Sequence, residues 1–69
     1  MIELGKYRHF KGNIYVVIAI AKHSETEEEM VVYQPFEKEG DFWVRPLEMW
    51  EEEISRDGKT FKRFEKIDE

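Results

Sequence analysis

Ile14-Tyr15-Val16-Val17-Ile18-Ala19-Ile20-Ala21 is the longest nearly continuous apolar run in the chain and decides its fold. It is rich in β-branched residues and follows a turn signal, Lys11-Gly12-Asn13, so it reads as a strand and as the central one. Both of its faces are apolar. That pattern suits a long bent strand serving two sides of a small barrel better than an edge strand with one wet face. Its eight residues fall far short of the roughly 20 a membrane-spanning helix needs, so no membrane partner is expected.

Working outward, Tyr7-Arg8-His9-Phe10 reads as a first short strand and Met30-Val31-Val32-Tyr33-Gln34 as a third, joined to the central one by the polar hairpin loop Ser24 to Glu29. Pro35 ends the third strand or leaves it at an edge, and Glu37-Lys38-Glu39-Gly40-Asp41 makes the next turn. Phe42-Trp43-Val44-Arg45 is a fourth strand. Pro46 then presets a helical φ for Leu47-Glu48-Met49-Trp50, a single helical or 3₁₀ turn, with a longer helix through Glu53 as the competing reading. Asp57-Gly58 turns a last hairpin between Glu53-Ile54-Ser55 and Thr60-Phe61-Lys62-Arg63-Phe64. The expected fold is a single all-β domain over residues 1–69, mainly antiparallel: a small, partly open SH3-like barrel with one short helical turn.

Sixty-nine residues bury only about 60% of their unfolded surface, which leaves room for one modest core and a surface site but no deep interdomain cavity. Ten Phe, Trp and Tyr side chains supply that core, and the absence of cysteine excludes disulfides, thiol catalysis and thiolate metal sites. Met-Ile-Glu-Leu-Gly at the start lacks the basic and apolar features of a signal peptide, so a cytoplasmic location is expected. The net charge of -5 hides a division: residues 1–23 carry +3, residues 24–53 carry -9 and residues 54–69 carry +1. The acidic middle disfavours nucleic acid, although Lys6, Arg8, Lys11, Lys62 and Arg63 form a small basic patch if the first and last strands are neighbours.

Two places carry chemistry. His23-Ser24-Glu25-Thr26 sets a titratable ring beside hydroxyls and a carboxylate, but adjacent strand residues point apart, so Ser24 and His23 do not read as a nucleophile pair. No metal-ligand spacing unites His9, Glu25 and the Glu27-Glu28-Glu29 run, which reads as a solvated loop, and no cofactor is expected. Arg45 is a single cation in an apolar stretch. Its guanidinium needs a partner, either internal, such as Glu48 or an aromatic face, or an external carboxylate or phosphate gripped bidentately.

Tyr7-Arg8-His9-Phe10-Lys11-Gly12, His23-Ser24-Glu25-Thr26, Val31-Val32-Tyr33, Trp43-Val44-Arg45-Pro46-Leu47-Glu48-Met49, Asp57-Gly58 and Arg63-Phe64 together resemble the short bacterial proteins of the domain-of-unknown-function family 1653. The resemblance spans nearly the whole chain; Trp50 stands where the pattern often has Phe. It implies a freestanding bacterial module in which Arg8, His9, His23, Thr26, Tyr33 and Arg45 recur, with no activity attached.

The leading expectation is a ligand-binding or interaction module whose surface groove, lined by His23, Thr26, Tyr33, Trp43 and Arg45, recognises a small anionic molecule or a carboxylate-bearing peptide. Polar groups set at the ends of apolar strands motivate it, and no catalytic residue is assigned. Two alternatives stand beside it: a small hydrolase or lyase using His23 with Glu25, and a nucleic-acid or ribosome-associated adaptor using the basic end strands. Exposed aromatics and a free strand edge also leave a homodimer open.

Overall fold

A computed structural model describes residues 2–36 and 40–67; most of the turn expected at 37–41 therefore lies outside the described residues. The element order is β1 (Gly5–His9), β2 (Ile14–Lys22), β3 (Glu29–Pro35), β4 (Trp43–Pro46), α1 (Leu47–Trp50), β5 (Glu53–Arg56), β6 (Lys59–Lys62) and β7 (Phe64–Lys66). Five strands form an antiparallel sheet in the order β4-β3-β2-β1-β7, and β5 and β6 form a separate hairpin. The Ile14-to-Ala21 run is thus the middle strand. The sheet is open, with β4 and β7 at its two edges.

The bend in β2 has a definite origin. Val17 faces Tyr33 but Ala19 faces Val32, so Ile18 is an extra residue opposite no partner, a β-bulge. One inserted residue inverts the alternation beyond it. Val17 is buried, Ile18 and Ala19 are exposed, and Ile20 packs against the core. An uninterrupted strand would send Ala19 inward and Ile20 outward. Ile20→Asp is therefore expected to lower unfolding free energy by about 2 kcal/mol or more, from lost burial and a desolvated charge. Ala19→Asp should cost under about 1 kcal/mol. Urea midpoints at unchanged slope give both values; the reverse ranking would contradict the bulge.

The core sits on one face of the sheet and is mostly aromatic: Tyr7, Val17, Val31, Tyr33, Trp50 and Phe64 are buried, with Ile2, Tyr15, Ile20 and Leu47 packed against them. The helical turn after Pro46 forms as its sequence predicts and ends at once, the Glu51 amide donating to the Leu47 carbonyl at 3.0 Å. Its one buried residue is Trp50. The competing longer helix is not made, because Glu53 already begins β5.

The last hairpin turns at Asp57 and Gly58, both with positive φ (51° and 75°), the primed-turn geometry that matches strand twist and that Asp-Gly favours. Its return strand stops at Lys62, earlier than expected. Arg63 leaves the hairpin: its amide donates to the Glu52 carbonyl, and its own carbonyl accepts from the Phe10 amide, both at 2.9 Å. Phe64 then joins the main sheet, opposite His9. The first and last strands are neighbours, the condition on which the basic patch depended.

Candidate functional site

Directly paired residues on adjacent antiparallel strands project to the same face. The register pairs Val17 with Tyr33 and Tyr33 with Trp43; Ile20 with Val31 and Val31 with Arg45; Tyr7 with Tyr15; and His9 with Phe64. Three of the five predicted site residues, Tyr33, Trp43 and Arg45, therefore share the core-bearing face of the sheet. Tyr33 is buried, Trp43 is 55% exposed, and Arg45 is between them.

The Arg45 guanidinium lies over the ring of Phe64, 5.4 Å from its centroid. Phe64 in turn stacks on Trp50, with centroids 3.6 Å apart and planes 2° from parallel. Arg45 is thus held on the outer face of a two-ring stack. Among the described residues it has no ion pair, and its Nε is buried without a hydrogen-bond partner. A cation–π contact offsets part of the desolvation, but it leaves the N–H donors of the fork unused.

His9 also lies against Phe64, edge-on with centroids 4.9 Å apart, and its ring meets Phe10 at 4.5 Å and Tyr15 at 6.4 Å. Its Nδ1 accepts the Lys11 amide at 3.2 Å, which assigns the proton of the neutral ring to Nε2. Burial pulls its pKa below the ordinary histidine value, and the charges of Arg45, Arg63 and Lys11 push the same way. Beyond His9, the Phe10 ring carries Lys11, Arg56 and Arg63 at 5.8, 5.4 and 5.9 Å. Arg63 also forms a 2.6 Å ion pair with Glu52, yet its Nε is buried without a partner, like that of Arg45.

His23 and Thr26, the other two predicted residues, belong to the β2–β3 loop. The His23 Nδ1 accepts the amides of Glu25 and Thr26 at 3.1 and 3.4 Å, and Thr26 Oγ1 accepts the Glu28 amide at 3.2 Å. The His23 amide and carbonyl bond to Glu28 and Glu27 in addition, and Glu27 takes a positive φ of 62°. The side chains of His23 and Thr26 act here as acceptors that satisfy turn amides the ladder cannot reach. Glu25 meets the ring through its backbone amide.

Sequence reasoning weighed His9 as a metal ligand and as a residue recurring in the family pattern, and Arg63 as part of a basic patch and of the Arg63-Phe64 motif, without joining either to Arg45. The signal that could have joined them to Arg45 is the pairing of Tyr7-Arg8-His9 with Phe64-Glu65-Lys66, which needs the last strand to be separated from the hairpin before it. A cavity of about 430 Å³ lies where Tyr7, Trp50 and Phe64 meet Glu51, Glu53 and Lys62, charges of mixed sign. No helix among the described residues is long and apolar enough to cross a membrane.

Comparison with curated proteins gives no match. A crystal structure of a DUF1653 protein from Bordetella bronchiseptica superposes with a TM-score of 0.84 at 29% identity, covering 96% of this chain and 87% of that one. The model of the family described as protein of unknown function (DUF1653) matches residues 5–66, which include both β1 and β7 and so every element around Arg45. On that match the chain belongs to the DUF1653 family.

Proposed function

We propose that the protein is a binding module that recognises a small anionic molecule or a carboxylate-bearing peptide at Arg45, with Trp43 and Tyr33 forming the adjoining aromatic wall. The observation that carries this reading is the guanidinium fixed over Phe64 with no carboxylate paired to it among the described residues. An anion arriving there takes up N–H donors that the fold has positioned and left without partners, so little ordering cost remains. His23 and Thr26 contribute by shaping the neighbouring hairpin.

Titrating tryptophan fluorescence with a library of carboxylates and short peptides tests the reading, since Trp43 stands beside the site and Trp50 beneath it. Arg45→Ala is expected to weaken binding about 10- to 100-fold, the range for hydrogen bonds to a charged group. Arg45→Lys should recover only part, because an ammonium keeps the charge and loses the fork. Unchanged affinity in Arg45→Ala would overturn the proposal.

A further inference from the structure

The face holding Arg45 carries more positive charge than one carboxylate can use. Arg45 from β4 lies over Phe64, and Arg63 from the link between β6 and β7 and Lys11 from the turn after β1 lie over Phe10, the two rings that His9 touches; among the described residues the one carboxylate paired with any of them is Glu52 on Arg63. Tyr15 from β2 faces His9 as well, through its ring, and Phe10 and Phe64 complete its surroundings. Two guanidinium groups lie against the same two rings as one imidazole, Arg45 and His9 at Phe64 and Arg63 and His9 at Phe10, and their like charges repel until an anion offsets them.

We infer that Arg45, His9 and Arg63 form one site for a doubly charged oxyanion, of the phosphate-monoester or sulfate type, and that His9 takes up a proton when the anion binds. The inference rests on the anion-binding reading of Arg45 and adds the charge of the ligand. Guanidinium forks pair with tetrahedral oxyanions as readily as with carboxylates, and Nε2–H of His9 is a third donor beside them. Burial, the larger cause of the lowered His9 pKa, remains on binding, but two negative charges offset the cations that repel a third positive one. The incoming proton comes from solvent and goes to Nδ1, the one ring nitrogen with a lone pair, releasing the Lys11 amide.

By linkage, an anion that raises the proton affinity of His9 binds more tightly when His9 is protonated. Affinity is then highest below the lowered pKa of free His9 and falls as pH rises through the interval between that value and the higher one of the complex.

Sulfate is the probe, because its double charge stays constant from about pH 5 to about pH 8, the interval in which histidine titrates. Proton NMR titration of the two imidazoles, assigned with His23→Asn, is run with sulfate and with acetate at matched ionic strength. Sulfate is expected to raise the His9 midpoint by about one unit, so that its affinity drops about tenfold across the range. It should also shift the Lys11 amide signal. His9→Asn should remove the pH dependence, and Arg63→Gln should remove the sulfate preference while circular dichroism reports an intact fold. Acetate binding that equals sulfate binding, needs Arg45 and ignores both pH and Arg63 would overturn this inference and leave the Arg45 reading standing. If neither anion binds more weakly in Arg45→Ala than in the parent protein, both fall.

Discussion

Trp50→Ala should remove most of the fold's stability at room temperature. Trp50 is 1% exposed, stacks on Phe64, and meets Tyr7 and Tyr33 edge-on with centroids at 5.4 and 5.0 Å. It is the point at which the four-residue helix, β1, β3 and β7 converge. Truncating a buried tryptophan costs about 3–5 kcal/mol, and a domain this small has a total stability near the lower end of the ordinary range, about 5 kcal/mol. The helix has no means of surviving alone, since one turn cannot repay its nucleation cost. A thermal melt followed by circular dichroism should show a midpoint lowered by about 15 °C or more, or no transition at all. Trp50→Phe is the informative partner: it keeps a stacked ring and drops an indole N–H that is buried without an acceptor, so it should cost far less. Equal melting of the alanine variant and the parent would mean that the stack does not hold the core.

Val17→Asp is the second large effect, and it arises from charge. Val17 is 1% exposed, and its strand partners are Gly5 and Tyr33, neither of which is cationic. A carboxylate there either stays ionised without a counter-charge or takes a proton, and both routes cost several kcal/mol, enough to exhaust the fold's stability. One residue along, Ile18 is the bulged residue and points to solvent, so Ile18→Asp should change stability by less than about 1 kcal/mol. Soluble, folded protein for Ile18→Asp and unfolded or aggregated protein for Val17→Asp is the expected pair of results, read by size-exclusion chromatography and amide dispersion in NMR. A folded Val17→Asp variant would contradict the assignment of that face to the core.

The residues that declared themselves in the sequence are those with strong local chemistry. The β-branched run gave the central strand, Pro46 and the Leu47-to-Trp50 spacing gave the helical turn, and Asp57-Gly58 gave the final hairpin. The division after Lys62 was hidden because Thr60-Phe61-Lys62-Arg63-Phe64 alternates without interruption; what divides it is pairing, with Arg63 bonded to Glu52 on one side and Phe10 on the other. The bulge was foreshadowed only as a strand apolar on both faces, since the inserted residue, Ile18, looks like its neighbours. At the site, Tyr33, Trp43 and Arg45 could be grouped because β3 and β4 are close in sequence. His9 and Phe64 are separated by most of the chain and meet only across the β1–β7 ladder. His23 attracted attention as a titratable ring, yet its ring nitrogen is engaged by amides two and three residues ahead, a local role that sequence spacing expresses as well as any catalytic one.

Because β7 lies against β1, the sheet edge beside β1 is filled by a strand synthesised after all the others described. During translation β1, β2 and β3 can pair while Phe64 is still inside the ribosome, but Trp50 then lacks the ring it stacks on and Arg45 lacks the surface it lies over. Closure of the core and assembly of the cationic face are consequently one late event, completed only once β7 has emerged, and until then a chaperone would meet an uncovered aromatic surface.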